Sequence, residues 1–287
     1  MKKDAETLGR GDAVISPSPR VSVSPRLPVP PTPPLDWSLL KRVSRSFYLT
    51  LRLLPAPVRE SISLAYLLAR YTDTEADGAV SEAEKELLGR RDELESQLAA
   101  SPDRDLIECV WKTIREGQRF DQERFEKGGA PLSAEELDRY TYLVAGCVGE
   151  FWTRICARRL PGFAALAEGA MADLGINYGK GLQLVNILRD RSADRQLGRV
   201  YVPEEHLPGT LALARRHLQD AERYVAAVKI FRLRVATALP LLLGQETLDL
   251  VEQRPAEARV KVRKSRVWFL LAQALMYRRP LPRKIAR

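Results

Sequence analysis

The sequence predicts an all-α protein, a single helical domain around a central apolar cavity, and three observations predict it. From Leu35 onward apolar residues recur at three- and four-residue spacing, as in Ile62, Ala65, Tyr66 and Ala69. No convincing alternation of apolar and polar residues marks a strand, and no Asn-Gly or Asp-Gly turn joins two β-rich runs. Helix starts and stops punctuate the chain at intervals suited to a bundle.

The elements follow in order. Residues 1–34 are rich in Pro and Ser and end in Pro-Val-Pro-Pro-Thr-Pro-Pro. Proline removes backbone donors and fixes φ, so this leader is expected to be disordered or extended, with the helical domain occupying 35–287. Helices are expected near 36–53, 55–76, 81–99, 103–127, 133–157, 161–192, 203–206, 210–242, 245–253 and 265–277. Asp77-Gly78 reads as a helix stop, and Ser81-Glu82-Ala83-Glu84 as a fresh N-cap. Pro131-Leu132-Ser133-Ala134-Glu135-Glu136 is a second start of that type. No internal repeat is visible.

Composition narrows the chemistry. The 287 residues are 45% hydrophobic and 29% charged, ordinary for a globular chain. Cys109, Cys147 and Cys156 are odd in number and lack Cys-x-x-Cys spacing, which fits buried thiols in a reducing compartment. His206 and His217 are the two histidines, too few for a typical histidine-ligated zinc site, and both fall in stretches of loop or surface character. No run of 18 apolar residues occurs and no apolar signal core opens the chain, so the expected location is the cytoplasm or the cytoplasmic face of a membrane. The net charge is +9. Ten of the 46 Lys and Arg fall in residues 258–287, which contain no acid, leaving 36 basic against 37 acidic residues elsewhere. Such a block could bind anionic lipid, nucleic acid or a diphosphate, or simply be a solvated end.

Two segments carry paired carboxylates. Tyr66-Leu-Leu-Ala-Arg70-Tyr-Thr-Asp73-Thr-Glu-Ala-Asp77 and Gln183-Leu-Val-Asn186-Ile-Leu-Arg189-Asp190-Arg-Ser-Ala-Asp194 each contain Asp-x-x-x-Asp after an arginine, at the end of an apolar helix. Residues i and i+4 share a helix face, so the two carboxylates repel each other unless a cation lies between them. Mg²⁺ takes oxygen ligands and commonly shares them with substrate phosphates. Two such pairs across a cavity would hold a diphosphate, with Arg70 and Arg189 adding charge-assisted bonds. Gln183 and Asn186 precede Asp190 by about two turns and one, and point to the same cavity. Other phosphate devices fail: Gly175-Ile-Asn-Tyr-Gly-Lys-Gly181 has the wrong spacing for a P-loop and follows no strand. Its glycines suit close helix packing or a wide cavity beside a ligand.

At these residues the sequence resembles the squalene and phytoene synthase family, the head-to-head prenyl synthases of isoprenoid-synthase-type fold, over about residues 38–277. Ser44-Arg45-Ser46-Phe47 is similar to the family's opening segment near a substrate diphosphate. Tyr66, Arg70, Asp73 and Asp77 match its first aspartate-rich motif, and Gln183, Asn186, Arg189, Asp190 and Asp194 its second. The resemblance implies that Asp73, Asp77, Asn186, Asp190 and Asp194 hold Mg²⁺, for which Mn²⁺ could substitute. Tyr140-Thr-Tyr-Leu-Val-Ala-Gly146 takes the place of a stretch whose tyrosine governs carbocation and proton handling, which makes Tyr140 catalytic. Arg154 matches a substrate-binding arginine, and Gly198-Arg199-Val-Tyr201-Val-Pro203 resembles a lid that brings Arg199 and Tyr201 to the substrate. Val260-Lys261-Val-Arg263-Lys264 is similar to a segment of the squalene synthases associated with NADPH, so Lys261 and Arg263 are implied to serve that cofactor. Ala76 and Ala193 stand where the squalene synthases often carry an extra acid, and Thr141 where cysteine is usual.

The implied reaction joins two farnesyl diphosphates through presqualene diphosphate, with NADPH reduction to squalene. Phytoene, dehydrosqualene or presqualene diphosphate alone are the alternatives. A non-catalytic basic helical protein binding lipid or nucleic acid is a remote one; no nucleic acid is expected. The short apolar segment 267–277 and the basic tail together suggest peripheral association with an anionic membrane.

Overall fold

Local signals set several helix ends in the computed structural model, which describes residues 34–44, 47–78, 80–126, 129–253, 262 and 264–276. The leader, Arg45, Ser46, Lys261, Arg263 and the tail beyond 276 therefore lie outside the described residues, and of Asp77 only the backbone is described. The described residues belong to one compact unit.

Helices α1 (Trp37–Ser44) and α2 (Phe47–Leu53) precede α3 (Ala56–Asp77). Pro55 and Pro57 open α3, and Gly78 closes it at φ +84°, its amide bonded to the Thr74 carbonyl at 3.0 Å. That left-handed turn costs glycine little. Helix α4 (Glu82–Leu88) starts on a full capping box, with the Ser81 hydroxyl accepting from the Glu84 amide and Glu84 accepting from the Ser81 amide. Gly89 and Arg90 separate it from α5 (Arg91–Ala100), where one helix was expected. Helix α6 (Arg104–Phe125) leads to α7 (Ala134–Thr141), which starts on a second capping box at Ser133 and Glu136. A π-helical turn, Tyr142–Gly146, passes into α8 (Cys147–Arg159).

Two further differences share one cause. The long helix expected over 161–192 is α9 (Glu168–Gln196), and the helices expected over 210–242 and 245–253 are instead divided as α10 (Leu207–Ala227) and α11 (Phe231–Gln253). Pro161-Gly162 turns at φ +71°, and the strand-like residues after it pair with the α10–α11 link. Ala165 donates to the Ala227 carbonyl at 2.8 Å and Lys229 to that of Phe163 at 2.7 Å. These tertiary bonds satisfy backbone groups that a helix would otherwise use. Helix α11 runs through Pro240 without ending, and a short 3₁₀ turn, Glu204–His206, precedes α10. Helix α12 (Lys264–Met276) packs on α11.

Helix α9 is central, touching α7, the π turn, α8, α10 and α11. Its buried residues, from Met171 through Gly181 to Leu188, lie on several sides rather than in one stripe, as expected of a helix surrounded by neighbours. Among the described residues no strand occurs, only the isolated Ala164–Val228 bridge, and no helix is long and apolar enough to cross a membrane. Of the thiols expected to be buried, Cys147 and Cys156 are, while Cys109 is exposed beside buried Val110 on the solvent side of α6. His206 is exposed in the 3₁₀ turn, but His217 is a half-buried residue of α10 rather than a fully solvated one.

Candidate active site

A cavity of about 420 Å³ opens between α2, α3, α6, α8, α9 and α11. Small residues create the space: Ala65 and Ala69 on α3, Ala145 and Gly149 on the opposite wall, Gly175 and Gly179 on α9, and Ala236 on α11. The glycines also bring α8 and the π turn into backbone contact with α9. A Cβ on Gly149 would fall inside the Gly175 carbonyl, and one on Gly179 inside that of Ala145. The tyrosines of the wall are already engaged. Tyr178 donates to the Thr237 carbonyl at 2.6 Å, and the Tyr224 hydroxyl meets the Thr153 hydroxyl at 3.0 Å. What faces the space is mostly hydrocarbon and aromatic ring: Phe47, Phe151 and Trp152, with the Trp152 Nε1 donor buried and unpartnered.

Along α9 the lining changes character, from Gly175 and Gly179 to Gln183 and Asn186, whose side chains touch at 3.4 Å. One and two turns further on the same face stand Asp190 and Asp194. Arg189 forms an ion pair with Asp190. Asp194 is half-buried, and its carboxyl is pushed up to about 6 by burial first, then by the charge of Asp190, against the pull of Arg199. Its charge is poorly compensated, which is the situation a divalent cation relieves. Asn186, Asp190 and Asp194 therefore fit Mg²⁺ as a donor set of hard oxygens, although no three carboxylates, histidines or cysteines among the described residues form a ready-made cluster.

The first motif ends α3. Tyr66 lines the cavity and stacks on Phe47 with centroids 5.2 Å apart. Arg70 pairs with Glu84, the buried capping-box carboxylate of α4, and lies 3.8 Å from Asp73. Asp73 is half exposed and accepts from Gln118 of α6 at 2.6 Å. Asp77 occupies the last turn of α3, on the same helix face as Asp73. Three residues after Gln118, Asp121 is close enough to add to the upward push on Asp194. One stretch of α6 thus borders both aspartate motifs.

Asp121 is the residue that sequence reasoning missed. It is buried, accepts the Tyr201 hydroxyl at 2.6 Å, and lies 3.5 Å from the Arg199 guanidinium. The Tyr140 hydroxyl reaches Tyr201 at 3.5 Å, and the two rings stack with centroids 5.3 Å apart. Burial, then the neighbouring Tyr201 and Asp121, hold Tyr140 well above the ordinary tyrosine value, and burial followed by Asp121 does so for Tyr201. Both stay protonated donors at neutral pH. Gly198, at φ +76°, folds this segment back, and the Arg199 amide bonds to the Asp194 carbonyl at 2.8 Å. A signal for Asp121 exists: it continues the buried series Val110, Ile114, Gly117 and Phe125, where a carboxylate is costly unless engaged.

Two expected site residues point elsewhere. Ser44 is buried with its hydroxyl bonded to the Leu40 carbonyl of its own helix. Arg154 is exposed and paired with Glu150 at 2.5 Å. It follows cavity-lining Trp152 by two residues, which turns it to the other side of α8.

The family described as squalene/phytoene synthase matches residues 40–210. A presqualene diphosphate synthase of Rhodopseudomonas palustris is 31% identical over 176 residues, 56% of this chain and 59% of that protein, so the match spans little more than half of that relative. A 15-cis-phytoene synthase of Synechocystis sp. is 28% identical over 285 residues, 82% of this chain and 81% of its own. The fold resembles that of TcSQS in complex with the ligand E5700, with TM-score 0.72, 20% identity, and 83% and 84% of the two chains covered.

Proposed function

The chain belongs to the squalene/phytoene synthase family, a family of prenyltransferase-type enzymes that use prenyl diphosphates, and from that premise we propose that it condenses two farnesyl diphosphates head to head. The observation that carries the reading is one helix, α9, whose cavity lining passes from glycine to Gln183 and Asn186 and then reaches two carboxylates on the same face, Asp190, paired with Arg189, and the poorly compensated Asp194. An amphiphile with a hydrocarbon chain and a diphosphate head matches that gradient.

Asn186, Asp190 and Asp194 on α9, with Asp73 and Asp77 on α3, would hold Mg²⁺. When bound, Mg²⁺ supplies Lewis-acid stabilisation of the leaving diphosphate. Arg189 and Arg199 would add charge-assisted bonds to the same oxygens. Ionisation of one chain leaves an allylic cation, which the 2,3 double bond of the second chain attacks. Loss of a proton then closes a cyclopropane and retains the second diphosphate. The apolar walls exclude water, which would quench the cation. Tyr140 and Tyr201, protonated and backed by Asp121, would offer hydroxyls where the proton and the departing diphosphate are handled.

Reduction to squalene with NADPH is the second reading, favoured by Val260–Lys264, whose Lys261 and Arg263 lie outside the described residues. Incubation of the purified chain with farnesyl diphosphate and Mg²⁺, with and without NADPH, tests both readings. Presqualene diphosphate in either condition supports the condensation, and squalene only with NADPH supports the second step. No turnover of farnesyl or geranylgeranyl diphosphate would overturn the proposed activity.

A further inference from the structure

We propose that α12 is a docking helix that lies in the surface of an anionic membrane. It packs on α11 through Leu270 and Ala274, which are 2% and 0% exposed. Its other side is bare and apolar. Trp268 is 65% exposed, Phe269 56% and Leu275 46%. Trp268, Ala272 and Leu275 fall at i, i+4 and i+7, so they form one continuous stripe, and all three are exposed. Three of the seven exposed large hydrophobics among the described residues, Trp268, Phe269 and Leu275, are gathered on this one 13-residue helix. A cluster of this kind calls for a partner, whereas scattered exposed side chains do not.

Charge identifies the partner. The helix contains no acid, and the stretch 258–287 in which it lies carries ten Lys and Arg and none of the opposite sign. Arg266 sits over the Phe269 ring at 4.7 Å while its guanidinium holds Glu246 of α11 at 2.9 Å. A second copy of the chain would set like charges against like. An anionic lipid surface complements both the aromatic stripe and the positive flanks. A helix of 13 residues is about 20 Å long, short of the roughly 30 Å of a bilayer core, so it lies in the interface instead of spanning it. The helix beneath it, α11, contributes Ala236, Thr237 and Pro240 to the cavity wall, so docking there would bring the cavity wall near a reservoir for long-chain lipids.

The test uses the full chain without any prenyl diphosphate, so its outcome is independent of the proposed reaction. Vesicles of phosphatidylcholine, alone or with one third phosphatidylglycerol, carry brominated acyl chains that quench tryptophan on contact. The wild type is expected to sediment with the anionic vesicles at low salt, to release as salt rises, and to lose fluorescence that the Trp268→Phe variant does not lose. Exposed positions tolerate polar residues, so the double variant Trp268→Ser/Phe269→Ser is expected to keep its circular dichroism and melting temperature and to bind at least about tenfold more weakly. Equal binding by the double variant, or quenching unchanged in Trp268→Phe, would overturn the proposal. So would a wild-type dimer that the double variant dissociates, because the face would then be a contact between copies.

Discussion

Replacing Gly149 by alanine is expected to destabilise the protein, although alanine is the better helix former. A Cβ at Gly149 would overlap the Gly175 carbonyl carbon and oxygen, which are backbone and cannot rotate away. The α8 and α9 helices must part, and overpacking of this kind costs roughly 3 kcal/mol or somewhat more. The helix-propensity gain of Gly→Ala returns about 1 kcal/mol, so the net loss is about 2–3 kcal/mol. For a domain of this size that lowers the melting temperature by roughly 4–12 °C. Gly169→Ala is the control. It makes the same chemical change in the same helix pair, but nothing lies within 4 Å of the new methyl, so stability should hold or rise by up to about 1 kcal/mol. Thermal melts followed by circular dichroism compare the two variants, and product assays report the cavity wall they disturb. A Gly149→Ala protein that melts at or above the wild-type temperature would refute the close-contact argument.

Asp190→Asn and Asp194→Asn should each lower product formation by at least about 10²-fold. Mg²⁺ with inorganic diphosphate is expected to raise the melting temperature of the wild type, and the same variants should lose that rise while keeping the wild-type melting temperature without ligand, which separates failed binding from misfolding. Asp121→Asn, Tyr201→Phe and the double variant form a cycle, and its coupling in denaturant melts should reach about 1–3 kcal/mol because the hydrogen bond is buried and charge-assisted; additive effects would show that the two side chains act separately. His217 has its pKa lowered by burial and then by Lys180, with Arg216 adding to the push and Asp220 and Asp138 opposing it. At this site the unfolded chain therefore takes the proton first as pH falls, so the stability contributed by neutral His217 is fully present above about 6.5 and is lost below it, and the difference between wild-type and His217→Gln stability should shrink as pH falls through that range.

The site is legible in the sequence where it depends on one helix. Gln183, Asn186, Asp190 and Asp194 share a face by spacing alone, and α9 runs unbroken through all four. Pairing that depends on other elements is not legible. Arg70 was expected to face a diphosphate, and the structure engages it with Glu84, a residue that the sequence shows only as part of a helix cap. Asp121 lies in a helix without any recognised motif, and its meaning comes from Tyr201, 80 residues later.

By itself the sequence determined the helical class, the capping boxes at Ser81 and Ser133, the stop at Gly78 and the shared faces of the aspartates. Each rests on bonds or spacings within about four residues, so local chemistry suffices. Tertiary structure alone decided that residues 161–167 leave the expected helix to pair with the α10–α11 link, that Arg154 turns outward, and that α6 brings Gln118 and Asp121 beside the two motifs. Those outcomes depend on which surfaces bury each other, and burial is a property of contacts between segments far apart in the chain.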